Sequence, residues 1–201
     1  MKIFLKSFSY LFHPLFIPTM ALLLFWNFND GSHQNTDFYL LLFQILILTI
    51  LIPISFFYLL KSMGKVDNLM IANINQRKIP LCIHIVLLLI LLMRSNIIPN
   101  FAEIYYFFVG SIMSAFVAFL LIFANQKASL HLVGISALAV FAVLLSLHFQ
   151  IRMLEIIIGL IACVGIVASS RLELKAHDFK ELTIGFVVGV LPQLSFFCCW
   201  K

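Results

Sequence analysis

Long apolar runs broken by short polar ones set the rhythm of this chain. A bilayer core about 30 Å thick takes around 20 apolar residues per helix, because hydrocarbon tolerates no unpaired backbone amide. With that window the pattern predicts spans near 9–28, 38–60, 79–93, 104–124, 129–149, 153–170 and 182–200. The expected fold is all-α, a polytopic transmembrane helix bundle of six or seven spans in a single domain over 1–201. The third run is the shortest: Ile79 to Met93 reaches only about 22 Å at 1.5 Å per residue, so a tilted, re-entrant or interfacial course is open to it.

Pro14, Pro18 and Pro53 fall within predicted spans, where each removes a helix hydrogen bond and favours a kink. Gly185 and Gly189 stand one turn apart on the last span and predict close approach of a neighbouring backbone. Lys2 and Lys6 precede an apolar stretch with no small-residue cleavage site, which reads as a retained first span, with no soluble domain before or after the bundle.

Composition agrees with a lipid solvent. Of the 201 residues 63% are apolar and 10% charged, against about 45–50% and about 25% in globular chains, so a soluble globule is excluded. Cys82 and Cys163 lie inside apolar runs and Cys198 and Cys199 near the C-terminus, without zinc or disulfide spacing, so they read as small hydrophobes. The net charge of +5 is too dispersed for a nucleic-acid face.

Polar residues at the edge of a membrane are expensive, so their positions carry information. Three stretches stand out: Asn75–Pro80, Gln126–His131 and Ser170–Glu181. Two spans separate each from the next, so all three are predicted on one side, each at the start of a helix, where free amides favour an anion. His177 and Glu181 are four apart, so the carboxylate can bond one ring nitrogen and leave the other free to attack. Arg77, Lys78, Lys127 and Arg171 could converge around two histidines as a phosphate-transfer pocket. Basic residues at helix ends also snorkel to headgroups, and a His–Glu pair can be surface electrostatics; three clusters on one side, two with a histidine, favour a site.

Ser170-Arg171, five residues, His177, three residues and Glu181 resemble the third signature, SRxxxxxHxxxD, of the type 2 phosphatidic acid phosphatase superfamily. Ser129-Leu130-His131 is similar to its second signature, PSGH, and Arg77 with Pro80 to a remnant of the first, KxxxxxxRP. The resemblance covers roughly 77–189. Glu181 stands for the usual Asp, Leu130 for Gly, and neither Met70 nor Ile71 supplies the upstream lysine.

The resemblance implies a phosphohydrolase that needs no metal or other cofactor. His177 would be the nucleophile, Glu181 its orienting carboxylate and His131 the acid for the leaving group. Arg77, Lys127, Arg171 and Ser129 would hold the phosphate oxygens. His13, His33, His84 and His148 fit no role in that scheme and lack metal-ligand spacing. The 22 Phe are read as packing, with aromatic walls able to admit an acyl or prenyl chain. A membrane lipid phosphate, reached by lateral diffusion, is the expected partner, and no nucleic acid.

The expected location is a bacterial inner membrane with the site on the outer face. Charge counting points the other way, with ten Lys and Arg on the cluster side against Arg94, Arg152 and Lys201 opposite. Rival readings are a catalytically inactive bundle that binds anionic headgroups, and a small transporter. The latter is disfavoured by the lack of charged residues at mid-span.

Overall fold

The computed structural model describes residues 2–28, 35–67, 73–95 and 98–200. His33, Met70, Ile71 and Lys201 lie outside them. The described residues form helices joined by short turns. These are α1 (Lys2–Leu11), α2 (Ile17–Phe28), α3 (Asn35–Leu46), α4 (Ile52–Ser62), α5 (Lys78–Arg94), α6 (Ala102–Phe123), α7 (Leu130–Phe149), α8 (Leu154–Glu173) and α9 (Phe179–Phe196). A π-helical turn, Ile47–Leu51, joins α3 to α4 in one rod, and a 3-10 turn, Asn75–Arg77, leads into α5.

Six of these segments are long and apolar enough to cross a membrane: Thr36–Ser62, Asn75–Arg94, Ala102–Phe123, Leu130–Phe149, Leu154–Glu173 and Phe179–Cys199. This is the architecture of an integral membrane protein. The run at 9–28 does not form one continuous helix. Pro14 cannot continue α1, and the chain turns at His13–Phe16 before α2 begins with Pro18 in its first turn, where the missing N–H costs nothing. The run at 79–93 proves longer than its apolar content, because Asn75–Arg77 are wound onto its start; 20 residues give about 30 Å. Pro53 is accommodated by the wide π turn just before it.

At the centre stands α7, the most deeply buried of the six spans. It packs on α9, α8 and α2, while α9 also lies against α6, and α1 rests on α8. Burial on several faces follows from its side chains, which alternate bulk (Ile135, Phe141, Leu144, Leu145) with Ser136, Ala137, Ala139 and Ala142. The approach of α9 to α7 depends on the glycine pair. A Cβ on Gly185 would lie 2.7 Å from the Ser129 carbonyl oxygen, and one on Gly189 would collide with Ser136 Oγ and the Val133 carbonyl.

Gly189→Ala is expected to destabilise the bundle by about 1–3 kcal/mol through that collision. Gly165→Ala on α8, where a Cβ meets nothing within 4 Å, serves as the neutral control. Thermal unfolding of the two variants in detergent checks this; equal midpoints would show that α9 does not need the close contact.

Candidate active site

One end of the bundle gathers the three polar stretches. Arg77 is the residue before α5, Ser129 the residue before α7, and the third stretch forms the turn between α8 and α9. That turn explains the spacing from Arg171 to His177 and Glu181. Lys175 takes a left-handed conformation (φ 51°). The Ala176 N–H then reaches back to the Arg171 carbonyl at 3.1 Å and the Lys175 N–H to Leu172 at 2.9 Å, a Schellman ending. Two residues later Asp178 caps α9, its carboxylate accepting the Glu181 N–H at 2.7 Å. His177 is held between a helix end and a helix start. The spacing Asp178-x-x-Glu181 is the sequence signal of that cap.

The expectation that each cluster begins a helix needs one correction. Ser170 and Arg171 occupy the last turn of α8, which runs to Glu173 rather than stopping near 170. A cation there meets the negative end of the helix dipole. Ser170 Oγ lies 2.7 Å from Ser9 Oγ, fastening α1 to the end of α8.

Cross-links between the stretches are short. Arg77 Nη1 donates to the Ala128 carbonyl at 2.9 Å, and Lys127 Nζ to the Ala176 carbonyl at 2.8 Å. The Ser129 N–H donates to the Glu181 carbonyl at 3.2 Å. His177 Nδ1 lies 2.6 Å from Glu181 Oε2, and the same oxygen is 3.6 Å from Lys127 Nζ. All three stretches therefore share one side of the bundle, as the count of crossings requires.

A cavity of about 150 Å³ opens beside them. Arg77, His131, Arg171 and His177 line its polar end, while Pro53, Phe57 and Leu60 of α4, with Leu81, make an apolar wall. All four polar residues are buried, none more than 8% exposed. His131 Nε2 is buried without a hydrogen-bond partner, as is Ser129 Oγ. A polar atom left so costs about 1–3 kcal/mol, which a ligand oxygen or hydrogen would recover.

Two expected phosphate ligands sit elsewhere. Lys127 does not line the cavity; its ammonium is taken by Ala176 and Glu181, behind His177. Ser129 is fully buried at the seam of α7 and α9 and also lies off the cavity wall. Conversely, His13 and His84 line the cavity. No spacing signalled them, because one lies in the α1–α2 turn and the other mid-helix. His148 is at the opposite end, 3.0 Å from Glu103. Among the described residues no set of three His, Cys, Asp or Glu side chains is placed to hold a metal ion.

Electrostatics decide the state of His177. Burial, and then the Arg77, Lys127 and Arg171 cations, push its imidazole down to about 2. The Glu181 carboxylate pulls the other way, yet one anion does not offset three cations and the loss of water. The 2.6 Å contact is thus an N–H···carboxylate hydrogen bond from a neutral ring. With Nδ1 carrying the proton, Nε2 keeps its lone pair. Burial, followed by Arg77, also lowers the Lys127 ammonium against the pull of Glu181.

Comparison of the chain with protein-family models, with curated proteins and with solved structures finds no match.

An unfolded His177 titrates near 6.5 and the folded one near 2, so below pH 6.5 the unfolded state binds the extra proton. Stability is therefore expected to fall as pH drops through 6.5. The limiting slope is about 1.4 kcal/mol per pH unit, and it is absent from His177→Gln. Chemical or thermal unfolding of both proteins in detergent between pH 7 and 5 measures the difference; parallel pH dependences would mean that the folded ring takes up its proton over the same range as the unfolded one.

Proposed function

We propose that this integral membrane protein hydrolyses a phosphate monoester or pyrophosphate of a lipid through a phosphohistidine. The observation that carries the reading is the Glu181–His177 hydrogen bond, which leaves Nε2 as the nucleophile of a ring lining the same cavity as His131, Arg77 and Arg171. Positioning and charge stabilisation are what phosphoryl transfer asks of a protein. Two guanidiniums at the polar end match the three equatorial oxygens of the transferring group. In the first step the His177 Nε2 lone pair forms the N–P bond as the P–O bond to the leaving group breaks, and His131 gives that oxygen a proton. Water then attacks phosphorus and gives a proton back to His131 as the N–P bond breaks, so inorganic phosphate leaves with both His177 and His131 restored. Lys127 acts from behind, holding Glu181 and the Ala176 carbonyl so that the ring cannot swing.

The resemblance to type 2 phosphatidic acid phosphatases supports the same assignment of His177, His131, Glu181, Arg77 and Arg171. A lipid substrate is favoured by the apolar wall of α4 and α5 that continues the cavity from its cationic end. We place the protein in a bacterial inner membrane with the cavity end facing outward, as that resemblance implies. The excess of Lys and Arg at that end is partly explained by Arg77, Lys127 and Arg171, which the site itself uses.

Release of inorganic phosphate from a panel of lipid phosphates in detergent tests the chemistry. His177→Ala is expected to abolish turnover and His131→Ala to lower kcat about 10²–10⁴-fold, while Glu181→Asp retains activity. Equal activity of the parent and His177→Ala overturns the mechanism, and headgroup binding without phosphate release would leave a non-catalytic receptor for anionic lipids. Orientation is checked separately: with the native cysteines replaced, Lys65→Cys should react with a membrane-impermeant thiol reagent on intact cells, and protection there would put the site in the cytoplasm.

A further inference from the structure

That mechanism leaves two of the histidines in the cavity without a task. His84 follows Arg77 by seven residues on α5, and Arg77, Leu81 and His84 share the face that lines the cavity. At 1.5 Å per residue its backbone lies about 10 Å further along the helix, away from the polar end. His13 enters from the turn between α1 and α2. Its Nδ1 accepts the Leu15 N–H at 3.4 Å, which leaves Nε2 to carry the proton of the neutral ring. The ring stands edge-on to His131, with centroids 5.0 Å apart and planes at 86°.

Apolar side chains, among them Pro53 and Phe57, make up most of the lining they share, and no hydrogen bond joins the His84 ring to another described residue. An imidazole placed in an apolar wall forfeits its hydration, a cost that Leu or Phe at position 84 would not bear. What His84 adds is one donor and one acceptor, and what His13 adds is the Nε2 donor, its Nδ1 being taken by Leu15. They sit where a substrate's leaving group must run if its phosphate lies between Arg77 and Arg171, because the apolar wall extends the cavity in that direction.

We propose that His13 and His84 form a hydrogen-bonding subsite for oxygens of the leaving group, a few bonds from the phosphoester. The subsite selects lipid phosphates with an oxygenated linker over polyprenyl phosphates, whose chain offers no polar atom to read. Ester carbonyls of a glycerolipid and the hydroxyl or amide groups of an acylated sugar share this chemistry. The inference rests on the phosphatase reading for its placement of the phosphate.

The test compares a diacylglycerol phosphate, an acylated glucosamine 1-phosphate and a polyprenyl phosphate in mixed micelles with the full-length protein. The parent is expected to favour at least one oxygenated substrate over the polyprenyl one by about tenfold or more in kcat/KM, the worth of a hydrogen bond to a group otherwise left unpaired. Which of the two is favoured identifies the source. His84→Leu and His13→Leu should each lower the favoured substrate alone and bring the ratio toward one, while His84→Gln, which keeps a donor, should restore it. A parent that treats all three alike, or leucine variants that lower all three by the same factor, overturns the subsite. Binding of the non-hydrolysable phosphonate analogues separates the two ideas. A preference among the analogues that His84→Leu removes, with no phosphate released from any lipid, supports the subsite and overturns the phosphatase. Phosphate release without that preference overturns the subsite alone.

Discussion

Glu181 is the residue through which distant parts of the chain become one site. Its N–H is capped by Asp178, its carbonyl accepts from Ser129, and its carboxylate holds His177 at 2.6 Å and Lys127 at 3.6 Å. The Ser129 and Lys127 contacts cross from the start of α9 to the start of α7 and to the turn after α6, so the registers of these three are set against one another. At the edge of a membrane an unpaired carboxylate or ammonium is costly, and here the Glu181 carboxylate and the Lys127 ammonium are paired with each other. Removing the carboxylate would free His177 and leave Lys127 without its counter-ion.

The close seating of α9 on α7 makes this possible. Hydrocarbon offers no hydrophobic drive to bring two helices together, so packing and polar contacts do it. Gly185 and Gly189 supply the packing at the end near the site. Further along, Gln193 supplies the polar contact, donating from its buried amide to the Phe107 carbonyl on α6 at 3.1 Å. Gly110 makes room for that amide: a Cβ there would come within 2.7 Å of Gln193 Nε2. Small residues and one buried amide thereby fix the last helix against two others.

The spans were legible because apolar length is a direct demand of the bilayer, and the shared side of the polar stretches followed from counting crossings. Local chemistry at single helix ends was legible too: the spacing of His177 and Glu181 is helical, and their bond forms. Failures came where tertiary packing decides. The turn at Pro14 divides a run that looks continuous in hydropathy, since a proline's consequence depends on what the freed backbone meets. Lys127 reads as a ligand by proximity to Ser129, but its reach is claimed by the Ala176 carbonyl across the α8–α9 turn. His13 and His84 could not be placed beside His131 from spacing, because three non-adjacent elements bring them there.

The π turn between α3 and α4 sets how the α4 wall meets the cavity. Thr49, in that turn, donates from Oγ1 to Ile45 at 2.8 Å and reaches Leu15 in the His13 turn at 3.4 Å. A backbone that already carries one widened turn bends at that point rather than along its length. The bridge to Leu15, long for a hydrogen bond, is worth on the order of 1 kcal/mol or less, within about two multiples of RT. The Pro53–Leu60 wall is therefore tied to the His13 turn by little polar energy, and its angle to the cavity is left to the widened turn and to apolar packing.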